Sequence, residues 1–152
     1  MNKFVKLFLF LIINLAINTK ILTANELDNV GACAGVVIWN ASVDFSLGDQ
    51  KGFDDGIKLG ITAYVSQVFA NNYSKNDIAI ADKILASNTD KIINAANTQT
   101  FDETIFEEII KCYRMLSILV MKNADTIKIN SKKINNIINQ RNKLLRRMLS
   151  AG

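Results

Sequence analysis

The chain has no histidine and no proline among its 152 residues, and only two cysteines and one tryptophan. Each absence closes off some chemistry. Without histidine there can be no Ser–His or Cys–His dyad, and the carboxylate di-metal centres of helical bundles lose their usual imidazole ligands. No Gly-x-Ser-x-Gly turn, phosphate-binding loop or dinucleotide fingerprint occurs. Cys33 and Cys112 are too far apart for a CxxC redox pair, and no metal-ligand cluster surrounds either. Missing proline removes the commonest helix breaker and suits an all-α chain. Acidic residues stop at Asp125. No cofactor and no metal is expected, and nothing asks for an enzyme. A Ser–Lys or carboxylate-only mechanism stays open, with Glu107 and Glu108 as its acids.

The length suits one domain, and a 49% hydrophobic content is ordinary for a globular core. Asn, Ile and Lys are used heavily; all three have AT-rich codons, so the bias is not read as chemistry. The expectation is a small bundle of four to six helices, stapled by one disulfide, after an N-terminal signal peptide.

That signal is read from residues 1–24. Lys3 and Lys6 form a positive start, Leu7 to Ile17 an apolar run broken only by Asn14, and Thr23-Ala24 a small-residue cleavage point. The run is shorter than the ~20 residues a bilayer span needs. Leu22, three residues before that cut, departs from the preferred small residue, and a short uncleaved anchor is the competing reading. Export predicts a periplasmic or secreted location, where two cysteines most simply form one bridge. Cys33–Cys112 closes a loop of about 80 residues, worth about 4.5 kcal/mol at most by chain entropy. Two buried free thiols are the bland alternative. Val30-Gly31-Ala32-Cys33 also loosely matches a lipid-attachment box, but Lys20, Glu26 and Asp28 separate it from the apolar run.

The clearest helix is expected over Thr100–Asn123. Thr100 and Glu103 form a capping-box pattern, and Ile105, Ile109, Cys112, Leu116 and Leu119 recur at helical spacing. The bundle is expected to pack around this helix. Val30–Asn40 reads as a first helix, with a short strand at Val36–Trp39 as the alternative. Asp44–Gly52 reads as a turn-rich link, followed by a helix over Phe53–Asn71. There Gly52, Gly56 and Gly60 recur every fourth residue, a spacing that predicts close helix approach. Gly31 and Gly35 repeat it, so the two glycine faces are expected to meet. Ser74 with Asp77 can cap a helix over Asn76–Ala96, which Ser87-Asn88-Thr89 threatens to break. A kink is expected at Asn123–Thr126, then a last helix over 127–149.

Two acidic groups invite metal readings. Counted from Asp44, Ser46 fits the third position of a calcium loop, but Asp49 stands where glycine is required and Asp55 is a short twelfth ligand. Glu103, Glu107 and Glu108 cluster without histidine. Solvated turns and faces explain both better.

Charge placement is the main functional clue. Residues 25–125 hold all 14 acids against 8 basic residues, a net of −6, whereas 126–152 hold 7 basic residues and no acid. Lys128, Lys132, Lys133, Arg141, Lys143, Arg146 and Arg147 surround the stripe of Ile127, Ile134, Ile138, Leu145 and Leu149. A final bundle helix balancing an acidic body accounts for much of this. The functional readings are a non-enzymatic docking surface for another envelope protein (adaptor, inhibitor or chaperone-like), or adsorption to an anionic membrane. Nucleic acid is not expected, since no stacking aromatics interleave. Oligomeric state is left open. The glycosylation patterns at Asn40 and Asn72 read as chance. In outline the chain resembles small exported bacterial helical proteins with one long-range disulfide, some secretion-system immunity proteins among them. That likeness rests on the export signal, two cysteines and helical patterning, and assigns no residue a role.

Overall fold

The computed structural model describes residues 26–71, 73–97 and 103–150, with side chains described up to 87 and again from 105. The expected signal segment, Asn72, the expected Thr100–Glu103 capping pair and the Asn88, Ile92 and Ala95 side chains lie outside these limits. Among the described residues the chain is all-helical, with six helices and no strand. They are α1 (26–46), α2 (Gln50–Ala70), α3 (Lys75–Asn97), α4 (Glu103–Lys122), α5 (Ala124–Ile129) and α6 (Ser131–Ser150).

The helix α1 forms the centre. Every residue from 34 to 39 is buried, Trp39 included, so this stretch of the helix has no solvent face. The sequence permits that because Asn29–Val43 carries no charge. A helix apolar all round belongs inside a structure. This corrects the expectation that the Cys112 helix is the organiser. In α4 only one stripe (Ile109, Cys112, Leu116 and Leu119) is buried, while Phe106, Ile110, Ile118 and Met121 are exposed on the other side. It also settles the Val36–Trp39 segment as helix.

Two apolar cores flank α1 and α2. The first joins Leu27, Val30 and Trp39 of α1 to Ala63 and Tyr64 of α2, Ala81 of α3, and the buried stripe of α4. The second joins Ile38 and Ala41 to Phe53, Ile57 and Ile61 of α2, with Ile137, Ile138, Leu145 and Leu149 of α6 packed against it. Each large side chain so buried contributes roughly 1.5–3 kcal/mol.

Glycine makes the close approaches. A Cβ on Gly56 would stand 2.8 Å from the Ala41 Cβ, and one on Gly60 would stand 3.2 Å from Ile38. A Cβ on Gly31 would stand 2.9 Å from the Ala81 backbone oxygen. The glycine faces therefore do not meet each other. Gly56 and Gly60 face Ala34, Ile38 and Ala41 of α1, and Gly31 faces α3.

The covalent staple is present: Cys33 of α1 is bonded to Cys112 of α4, with Cα atoms 4.9 Å apart. The predicted Ser74–Asp77 cap also forms. The Asp77 amide donates to Ser74 Oγ (3.1 Å) and the Ser74 amide donates to the Asp77 carboxylate (3.0 Å). The helix α3 runs unbroken through Ser87-Asn88-Thr89. The link after α1 is shorter than expected: Gly48 takes φ +85°, and Asp49 accepts the Gly52 amide at 2.8 Å to cap α2. The expected single helix over 127–149 is two, because the chain breaks at Asn130 as well as at Asn123.

Candidate functional site: the cationic face of α5 and α6

The break at Asn123 sets the direction of everything after it. Its side chain is buried and donates to Ser66 Oγ (3.3 Å) and Gln67 Oε1 (3.2 Å) of α2. Gln67 in turn donates to the Tyr73 hydroxyl (3.1 Å). A buried amide of this kind is stabilising only while its partners are in place. It therefore locks the α4–α5 corner onto α2. At Asn130 the side chain donates to the Thr126 carbonyl (3.0 Å), closing the short α5 before α6 begins.

From there α6 lies along α2 with its apolar stripe inward. Ile134 is fully buried, and Ile138, Leu145 and Leu149 pack against the second core. At its far end Arg146 is the anchor. Its guanidinium donates to Asp54 (2.6 Å), to Gln50, and through Nε to Asn142 (2.7 Å). Asn142 also donates to Asp54 (2.7 Å). The guanidinium carbon stands 4.7 Å from the centre of the Phe53 ring and 5.7 Å from that of Phe45, within cation–π range. Hydrogen bonds from Asn142 and then Arg146 hold the Asp54 carboxyl below its ordinary range.

The seven predicted cations thus separate by environment. Arg146 faces the protein's own body and is committed there. Arg141 lines an apolar pocket on one flank of α6. Lys132, Lys133, Lys143 and Arg147 lie on the outer side of α6, and Lys128 is exposed on α5. Among the described residues none of these six makes an ion pair. Lys143 and Arg147 flank a shallow polar depression beside Asn139 and the Asp54–Arg146 pair. Exposed Ile129, Leu144 and Met148 interrupt the charge.

The acids read as metal candidates from sequence have helix duties here. Asp49 caps α2 and Asp55 pairs with Lys51 one turn away, while Asp54 beside it holds Arg146. Glu107 and Glu108 are exposed on α4. Among the described residues no group of three metal-binding side chains comes together, and no helix is long and apolar enough to cross a membrane.

Two features escaped the sequence reading. One is the exposed apolar row of Phe106, Ile110, Ile118 and Met121; its helical spacing was visible beside the Cys112 stripe. The other is the pocket behind Arg141, which joins four helices and left no local signal. In comparisons with known proteins, no family model, no curated protein and no solved structure matches this chain.

Proposed function

We propose that this protein is exported, is held by its disulfide in an oxidising compartment, and works without catalysis by docking an acidic partner protein on the outer face of α5 and α6. The observation that carries the reading is the division of the seven cations. One is spent holding α6 down, while Lys128, Lys132, Lys133, Lys143 and Arg147 stay exposed and without an acid among the described residues. Such a predominantly cationic face, with Asp125 as the exposed acid of α5, steers an oppositely charged partner and sets its register. The disulfide supports export, since bridges of this sort persist outside the reducing cytoplasm.

Adsorption to anionic lipid is the weaker reading. A helix lying in a membrane inserts its apolar face, and the stripe of Ile134, Ile138, Leu145 and Leu149 is turned into the core.

Affinity capture with the processed, oxidised protein tests the proposal, comparing it with a Lys132→Glu, Lys133→Glu, Lys143→Glu, Arg147→Glu variant. These side chains are exposed, so the variant keeps its helical content. The partner is then purified and its binding measured directly at two salt concentrations. The expected result is at least a tenfold loss of affinity in the variant and weaker binding of the parent at high salt. Equal affinity for both proteins would remove the cationic face from the account. Co-sedimentation with phosphatidylglycerol vesicles, lost in the same variant, would assign it to lipid instead. Intact mass of protein recovered from cells tests export: the expected chain lacks about 24 residues and two thiol protons.

A further inference from the structure

We infer that the pocket enclosed by α1, α2, α3 and α6 is a binding site for a single-chain amphiphile with an anionic head, a long-chain carboxylate. Its volume is about 480 Å³, inside the range of roughly 300–1,000 Å³ usual for small-molecule sites. Ile38 of α1 and Ile61 of α2 line its depth, both buried. Val65 of α2 and Leu85 of α3 form one wall, and Leu145 and Met148 of α6 face them. This lining takes an alkyl chain.

The polar groups at the opening decide the head. On the α3 side the Asp82 carboxylate accepts the Tyr64 hydroxyl at 2.8 Å, so it is already engaged by a donor from the protein. On the α6 side Arg141 is exposed at the rim and makes no ion pair or hydrogen bond among the described residues. The guanidinium fork matches a carboxylate in two parallel hydrogen bonds. A chain lying against Ile38 and Ile61 places its carboxylate at Arg141, where the Asp82 side is closed to it by charge. This site is separate from the outer cationic face and does not rest on the docking proposal.

Binding of decanoate, laurate and palmitate to the oxidised protein, by calorimetry below their micelle concentrations, tests the assignment. Each methylene that enters the pocket is expected to tighten binding about fourfold until the pocket is filled. Arg141→Gln is expected to weaken laurate about tenfold while leaving dodecanol unchanged. Ala86→Trp, at the exposed rim of the pocket, and Val65→Phe, in its wall, are expected to abolish binding of both, with helical content retained by circular dichroism. Three results would overturn the proposal. They are no saturable binding, affinity independent of chain length, or laurate binding that survives both filling variants, which would place the ligand on the exposed apolar row of α4.

Discussion

The helices α1 and α6 have nearly the same length and opposite relations to water. In α1 no charged side chain intervenes between Asp28 and Asp44, and every residue over 34–39 is buried; in α6 there are six cations and one fully buried side chain, Ile134. The first is held by a disulfide to α4 and by glycines of α2 that let its backbone come close. The second is held by one apolar stripe and by Arg146 on Asp54, an ion pair whose side chains are 34% and 51% exposed. The difference separates a half fixed by all-round burial and a covalent link from a half fixed along one apolar stripe. Burial and a covalent link are largely indifferent to salt and mild acid. A half-exposed ion pair is screened by salt and is lost once acid protonates its carboxylate.

The comparison ranks the expected effects. Replacing both Cys33 and Cys112 by alanine is expected to cost about 2–4 kcal/mol by loss of the chain-entropy term. Urea unfolding of the double variant measures it, and a loss smaller than that of any α6 variant would reverse the ranking. Next comes Gly56→Val. Its first carbon would already crowd Ala41 at 2.8 Å, so overpacking of about 2–3 kcal/mol is expected. Adding a helix former on the other side of the comparison, Asn136→Ala on exposed α6, is expected to stabilise by a few tenths of a kcal/mol. Equal melting temperatures for the two variants would deny that α1 and α2 are in close contact.

The hinge between the halves should respond at an intermediate level. Asn123→Ala takes the donor from Gln67 Oε1 and leaves Ser66 Oγ with its bond to the Ala63 carbonyl alone, at an expected cost of about 2 kcal/mol. Hydrogen exchange should show the opening spread into α5. Exchange confined to α6 would place the hinge at Asn130 instead. Arg146→Ala should cost about 1 kcal/mol, from its aromatic and carboxylate contacts together. That loss should appear as faster amide exchange in the last turns of α6 with α1 unchanged.

The effect of pH is also small. The Asp54 carboxyl is held below its ordinary range by Asn142 and Arg146, so it favours the folded state fully above its unfolded value near ~4. That contribution is lost as pH falls through the lower folded value. Because the group is half exposed, the loss should stay below about 1 kcal/mol. Acid titration of α6 exchange in the parent and in Asp54→Asn isolates it: the parent loosens below about pH 4 and the variant shows no such step.

The sequence is legible locally where one side chain decides the matter. Ser74 and Asp77 cap α3 because both partners lie within one turn. The sulfur pairing followed because two cysteines allow only one intramolecular bridge. The glycine spacing foretold close approach, but not that Gly31 would face Ala81 while Gly56 and Gly60 faced α1, since period names a face and not its neighbour. The sequence points to α4 as the centre, where the structure has α1, for a related reason. The amphipathic α4 has a strong periodic signal, whereas a helix buried all round has little periodicity to detect. Likewise, seven cations at the C-terminus are equivalent in sequence, and only contact with Asp54 separates Arg146 from the rest.

Composition and short-range spacing thus determined the helical class, the Ser74–Asp77 cap and the possible bridge, because these depend on backbone geometry and on residues a few positions apart. Which helix lies inside, which cation is consumed, and where an apolar pocket opens were decided by the tertiary structure. Those outcomes depend on surfaces brought together from distant parts of the chain, and free energies of burial and pairing exist only once they meet.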